Sequence, residues 1–81
     1  MKAKISKKML EAVIRAAVRG TVSNAKAHDS EVGTYELSNI VWEIGNDFGY
    51  YCEVFYMSGS SFDISCRNIN LDKTLRFTVT V

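Results

Sequence analysis

The sequence predicts an α+β fold in which one N-terminal amphipathic helix packs on an antiparallel β-meander of four to five strands. Three observations predict this class: helical periodicity over residues 6–19, period-two alternation near the C-terminus, and a glycine-containing turn between two strand-like runs. The 81 residues suffice for a single domain, 1–81, with its sheet at about 35–81.

The helix is predicted to run from Ser6 to Arg19. Ser6 is a suitable N-cap, and Gly20 can adopt the left-handed conformation that ends a helix. At about 100° per residue, one side of this helix collects most of its apolar residues. These are Met9, Leu10, Val13 and Ala17, with Ile14 and Ala16 at the border. Val18 is predicted to project among the charged residues of the opposite side.

The middle of the chain carries weaker or conflicting patterns. Residues 21–28 resemble a weak strand or a linker, and the stretch "HDSEVG" a turn or loop. Tyr35–Ile44 fits both helical spacing and a strand face, and the β-branched run "IVWEI" favours a strand. The stretch "GNDFG" is then a hairpin loop.

Three further strands are predicted at Tyr50–Met57, Ser61–Arg67 and Thr74–Val81. The last of them alternates cleanly between apolar and polar residues, as a half-buried strand does. Its inward residues are Leu75, Phe77, Val79 and Val81, and its outward residues are Thr74, Arg76, Thr78 and Thr80.

The hairpin around Gly59 allows two registers. A two-residue turn of type II′ at Gly59-Ser60 is favoured, because glycine suits its first central position. That register pairs Phe55 with Ile64 and Met57 with Phe62, and it turns Cys52, Val54, Tyr56, Asp63, Ser65 and Arg67 outward. A three-residue loop instead pairs Cys52 with Cys66, Val54 with Ile64 and Tyr56 with Phe62, which exchanges the buried and exposed sets.

Either register leaves apolar or aromatic side chains on the second face of the first hairpin strand, where one helix cannot cover them. A second protein chain or a ligand is the natural occupant of such a surface. We therefore expect a small binding module or inhibitor, of the size common among phage and mobile-element accessory proteins, acting through the outer sheet face or the C-terminal strand. Its expected contact residues are Tyr50, Val54, Tyr56, Arg67 and Arg76. Self-association, including a dimer formed through "TLRFTVTV", is a close variant.

The charge distribution supports an alternative hypothesis. Up to His28 there are seven basic residues against one acidic residue, and from Asp29 onward three against eight. The basic helix residues Lys8, Arg15 and Arg19 could therefore bind a small anionic ligand, a nucleotide or a nucleic acid. A pI of about 7.8 argues against a nucleic acid, because phosphate-binding domains concentrate their cations.

Residue patterns that carry catalysis or metal binding are missing from the sequence. The three serines near Gly59 lack a nucleophile-elbow pattern, and His28 is the one imidazole in the chain. Cys52 and Cys66 lack the spacing of metal-binding cysteines. Two cysteines are too few for a disulfide framework, so we expect both to be reduced thiols in a cytoplasmic protein. We therefore expect no enzyme activity, no metal and no cofactor. We also expect no membrane segment, because the longest apolar runs are far shorter than about 18 residues.

Overall fold

The computed structural model describes residues 5–68 and 74–81. Its elements are α1 (Lys7–Ala27), α2 (Thr34–Asp47), β1 (Tyr50–Ser58), β2 (Ser61–Asn68) and β3 (Thr74–Thr80). The strands form an antiparallel sheet in the order β1-β2-β3. Helix α2 packs on β1 and helix α1 packs on β3 and α2, so both helices lie on one face of the sheet. The α+β class with an antiparallel sheet is confirmed.

The number of elements differs from the expectation of one helix and four to five strands. The described residues form two helices and three strands, because the region from 35 to 44 is helical. The three C-terminal strands lie within one residue of their predicted bounds. Residues 69–73 of the predicted sheet region lie outside the described residues.

Helix α1 begins as predicted but continues past Gly20. The Ser6 hydroxyl accepts a hydrogen bond from the Met9 N–H at 3.1 Å, which confirms the N-cap. The helix ends in a Schellman motif centred on Asp29, whose φ of 53° lies in the left-handed region. The N–H groups of Asp29 and Ser30 donate to the carbonyls of Lys26 and Ala25 at 3.1 and 2.8 Å.

Burial explains why Gly20 fails to end this helix. Glycine in a helix interior costs about 1 kcal/mol, whereas burying one valine side chain contributes about 1.5–3 kcal/mol. Continuing the helix extends the stripe of Leu10, Ile14 and Val18, which are fully buried, towards Ala25. The same stripe shows that the predicted apolar side of the helix is wrong, because Val18 is fully buried and Met9 is 57% exposed.

Helix α2 replaces the strand predicted at Tyr35–Ile44. Leu37, Val41 and Gly45 are buried at a spacing of four residues, which places them on one side of a helix. The β-branched run favoured a strand, but burial of this helical stripe against β1 outweighs a local preference that spans only about 1 kcal/mol. The predicted hairpin loop is the end of this helix, and Gly49 with φ of 80° turns the chain into β1.

Gly45 permits the close approach of α2 to β1. A Cβ atom at this position would lie 2.5 Å from the Cys52 Sγ atom and 3.0 Å from the Tyr50 carbonyl oxygen. No side chain larger than glycine fits there without displacing the helix or the strand.

The β1–β2 hairpin uses both predicted registers. Near the turn Met57 pairs with Phe62, as the two-residue turn requires, and Gly59 has a φ of 57°. Further from the turn Cys52 pairs with Cys66, as in the three-residue alternative. A β-bulge between Val54 and Tyr56 joins the two halves, and Phe55 is its extra residue.

The core lies between the sheet and the helices. Its buried members from the sheet are Tyr50, Cys52, Val54, Phe62, Ile64, Cys66 and Val79, and Leu75, Phe77 and Val81 pack against them. The inward set predicted for β3 is thereby confirmed. The placement of Cys52 and Val54 on the outer face is wrong, because the bulge keeps the register beyond it in the alternative arrangement.

Candidate functional site

The sheet face opposite the helices, called the outer face here, has no helix or strand of the described residues packed over it. Strand pairing and alternation of burial place thirteen side chains on it. These are Tyr51, Glu53, Phe55, Tyr56, Ser58, Ser61, Asp63, Ser65, Arg67, Thr74, Arg76, Thr78 and Thr80. It is the surface on which sequence reasoning expected surplus apolar side chains.

The β-bulge concentrates aromatic surface on the outer face. Without the bulge, Phe55 and Tyr56 would point to opposite sides of the sheet. Instead the Arg76 guanidinium stacks over the Phe55 ring at 5.5 Å, and Tyr56 pairs with the outward residue Asp63. Phe55 and Tyr56 are 50% and 59% exposed, and Tyr51 on the same strand is 45% exposed.

A shallow cup lies on this face beside the aromatic residues. It has a volume of about 200 Å³ and is lined by Tyr51, Glu53, Ser65, Arg67, Thr74 and Arg76. These residues form two rows across the sheet, one through Arg67 and one through Arg76. Neither arginine forms an ion pair with any described carboxylate. The cup therefore presents two cations with free N–H donors.

Both edges of the sheet are protected. At the β3 edge, Arg15 donates to the Thr78 carbonyl at 2.8 Å, and Arg19 donates to the Thr80 carbonyl at 3.4 Å. At the β1 edge, the bulge at Phe55 interrupts the regular ladder that another strand would need. The outer face is thus more accessible to a partner than either edge.

The structure separates the five predicted contact residues into two groups. Tyr56, Arg67 and Arg76 lie together on the outer face. Tyr50 and Val54 are buried in the core beneath the helices, so they are not part of that surface. Two outer-face residues were missed, Tyr51 and Phe55. The period-two alternation of β1 places Tyr51 and Phe55 on one face and could have indicated both, whereas the outward position of Tyr56 beside Phe55 depends on the bulge.

The three basic residues of the alternative hypothesis have different environments. Arg15 pairs with Glu11 at 2.9 Å and stacks over Phe77 at 5.1 Å, in addition to its bond to β3. Arg19 also binds β3, while Lys8 is exposed and forms no bond with the described residues. Two of the three cations are therefore engaged within the protein rather than free for an anion.

The imidazole and the two thiols of the chain lie in environments that differ from those of catalytic or metal-binding groups. His28 Nδ1 lies 2.9 Å from the Asn24 carbonyl oxygen at the end of α1. Cys52 and Cys66 are buried free thiols, and a hydrogen bond between them, followed by burial, raises the pKa of the Cys66 thiol. Across residues 5–68 and 74–81, no cluster of three metal-ligand side chains occurs.

A second concavity, of about 320 Å³, lies between the end of α1 and the β1–β2 turn. Val22, Val32 and Phe62 give it an apolar wall, and Lys26 and Glu31 add opposite charges.

Neither helix, over the described residues, is long and apolar enough to cross a bilayer.

The fold and the outer face define a small α+β protein with one open, aromatic sheet surface. Comparison with protein families, characterised proteins and solved structures finds no match for this chain.

Proposed function

We propose that the protein is a non-enzymatic binding protein, a protein–protein interaction module or inhibitor, that uses the outer face. The observation that supports this is the exposed trio of Tyr51, Phe55 and Tyr56 beside Arg67 and Arg76 on an uncovered sheet face. A chain of this size has little apolar surface to spare, so three exposed aromatics on one face point to an interface.

The chemistry of this surface suits a protein partner. Tyrosine and arginine are enriched among the residues that dominate binding energy, and each such residue can contribute about 2 kcal/mol or more. The aromatic rings lie along the edge strand β1, and polar groups such as Asp63 and Ser65 lie beside them on the central strand β2, so the surface offers both apolar and polar contacts to a partner. The partner is a different protein or a second copy of this chain.

The face is a better candidate than the edge proposed from the β3 sequence. An added strand would have to displace Arg15 and Arg19 from the carbonyls of Thr78 and Thr80. It would also have to break the Arg15–Phe77 stack. Face-on docking requires none of these changes.

The size of the chain and the state of its cysteines support a proposal for the origin and compartment of the protein. The size of the chain fits an accessory protein of a phage or mobile element. Free buried thiols at Cys52 and Cys66 fit a reducing compartment such as the cytoplasm. Binding through tyrosine and arginine side chains needs no cofactor.

A charge placed among the aromatics tests the proposal. A partner is identified by pull-down from host lysate and then produced in pure form, and its affinity is measured by calorimetry. Tyr56→Asp should weaken binding at least tenfold, which corresponds to about 1.4 kcal/mol, because it puts an unpaired charge in the interface. Tyr35→Asp is the matched control, since Tyr35 is 79% exposed on α2, an element of the helical layer.

Circular dichroism establishes that both variants keep the native fold. If Tyr56→Asp binds the partner as tightly as the unsubstituted protein does, the outer face is not the interface. If Tyr35→Asp alone weakens binding, the interface lies on the helical side.

A further inference from the structure

We infer that the cup on the outer face binds one carboxylate group, presented by an aspartate or glutamate side chain of the partner protein. This inference rests on the proposed function and adds the chemistry of the partner. It predicts an acidic residue in the partner with an apolar or aromatic residue beside it.

The positions of the two arginines support a shared anion. Arg67 pairs with Thr74, and Arg76 lies two residues further along the same strand as Thr74. Diagonal neighbours of this kind are about 7–8 Å apart, a separation that two long side chains can bridge. Guanidinium groups bind carboxylates with parallel N–H donors, so both arginines can hold one carboxylate between them.

Arg76 is already held in place for this role. Its guanidinium lies 5.5 Å from the centre of the exposed Phe55 ring. Stacking restrains the side chain but leaves the N–H groups at the rim of the guanidinium free to donate. Less side-chain entropy is then lost when an anion binds.

The size of the cup limits what it can hold. Its volume is about 200 Å³. Sites that hold whole small molecules are larger, typically about 300–1,000 Å³. The cup can accommodate one functional group but not a nucleotide. The remaining contact area of a partner must come from the neighbouring aromatics, Phe55 and Tyr56.

The charge balance favours a carboxylate over a phosphate or a nucleic acid. Glu53 lines the same cup, so a phosphate of nearly two negative charges meets more repulsion than a single carboxylate does. Across the outer face, Glu53 and Asp63 balance Arg67 and Arg76 in number. A surface with no excess of cations is a poor site for a polyanionic backbone.

The experiment is a selection of peptides from a random display library on the purified full chain. Three baits are compared: the unsubstituted protein, Arg67→Gln/Arg76→Gln, and the control Lys7→Gln/Lys8→Gln. The control removes the same charge from exposed positions at the start of α1, away from the outer face. Peptides with an acidic residue next to an aromatic or aliphatic residue should be enriched on the first and third baits but not on the second.

Individual peptides make the result quantitative. One enriched peptide is synthesised with its acidic residue as glutamate, glutamine or phosphoserine, and the affinities are measured by calorimetry. Replacing glutamate by glutamine, or using the double arginine variant, should each weaken binding about tenfold, and the lysine variant should bind normally.

Several results would overturn the inference. These are recovery of no peptides, enrichment without acidic residues, and acidic enrichment that persists on the arginine variant. Tighter binding of the phosphoserine peptide, or binding of a single-stranded oligonucleotide through the same arginines, would assign the cup to phosphate instead. A dimer found by light scattering that depends on both arginines would assign it to a second copy of this chain.

The inference and the proposed function fail in different ways. If Tyr56→Asp abolishes partner binding and Arg67→Gln/Arg76→Gln does not, the outer face remains the interface and the carboxylate assignment is wrong. If neither variant affects partner binding, both proposals are wrong.

Discussion

Cys52 on β1 lies directly opposite Cys66 on β2, and both free thiols are buried. This pair marks the half of the hairpin whose register differs from the half near the turn. Cys52 of this pair also packs against Gly45 of α2. The two cysteines therefore take part in the register of the hairpin, in the position of α2 on β1 and in the ionisation of a buried thiol.

Stability should fall at alkaline pH because of Cys66. The hydrogen bond with Cys52, followed by burial, raises the pKa of the Cys66 thiol, so the folded protein keeps a proton that the unfolded chain loses. Its contribution is fully present below the pKa of an unfolded thiol, about 8.5, and decreases above it by up to about 1.4 kcal/mol per pH unit. Urea unfolding at a series of pH values measures this slope.

The control for this prediction is Cys66→Ala, which removes the titrating thiol. Its overall stability will be lower because a small cavity forms, but its free energy of unfolding should depend less on alkaline pH. Equal slopes for both proteins would contradict the assignment to Cys66.

Two helical glycines should respond to alanine in opposite directions. Gly20→Ala should raise the free energy of unfolding by about 0.8–1 kcal/mol, since nothing lies within 4 Å of the added Cβ atom. Gly45→Ala should lower it by about 1–3 kcal/mol, because the added Cβ atom would lie 2.5 Å from the Cys52 Sγ atom. Thermal and urea unfolding of the two variants make the comparison, and a stabilised Gly45→Ala protein would show that α2 and β1 are not so closely packed.

Removal of the arginines from the β3 edge should promote self-association. Arg15→Gln/Arg19→Gln frees the carbonyls of Thr78 and Thr80 to accept bonds from a strand of another chain. Light scattering over a range of protein concentrations should show larger species than the unsubstituted protein forms. Lys7→Gln/Lys8→Gln is the control with the same change of charge on the same helix, and association in both variants would indicate a general charge effect.

Replacing the left-handed residue at the end of α1, Asp29, by glycine should stabilise the protein. Asp29 has a φ of 53°, which strains a residue with a Cβ atom, and its negative charge is unfavourable at the C-terminal end of a helix. Asp29→Gly should therefore stabilise the protein by about 0.5–1 kcal/mol, measured by urea unfolding. Asp29→Val, which adds a β-branched side chain, should be destabilising, and the reverse order of the two variants would contradict the Schellman assignment.

The sequence predicted the sheet better than the helices. Alternation over Thr74–Val81 and the glycine turn at Gly59 are local signals, and each corresponds to an observed strand or turn. The stretch from Tyr35 to Ile44 fits both a helical and a strand periodicity, and the strand preference of its β-branched residues led to the wrong prediction. Only packing against β1 makes its helical stripe the lower-energy choice.

For the candidate site, the strand pattern indicated surplus apolar surface around Phe55, and it placed Tyr56, Arg67 and Arg76 on the outward side of the sheet, where they lie. It could not place Tyr50 and Val54, which are buried. Their faces depend on one extra residue in β1, and no local pattern distinguishes a bulge from a shift of the whole register.

The amino-acid sequence by itself determined the fold class, the N-cap of α1, the three strands and the inward face of β3, because these depend on neighbours a few residues apart. The tertiary structure alone decided where α1 ends, that α2 is a helix, and which aromatic side chains reach the outer face. Those outcomes depend on contacts between distant segments, where the burial of a few valine and leucine side chains exceeds the local preferences of the chain.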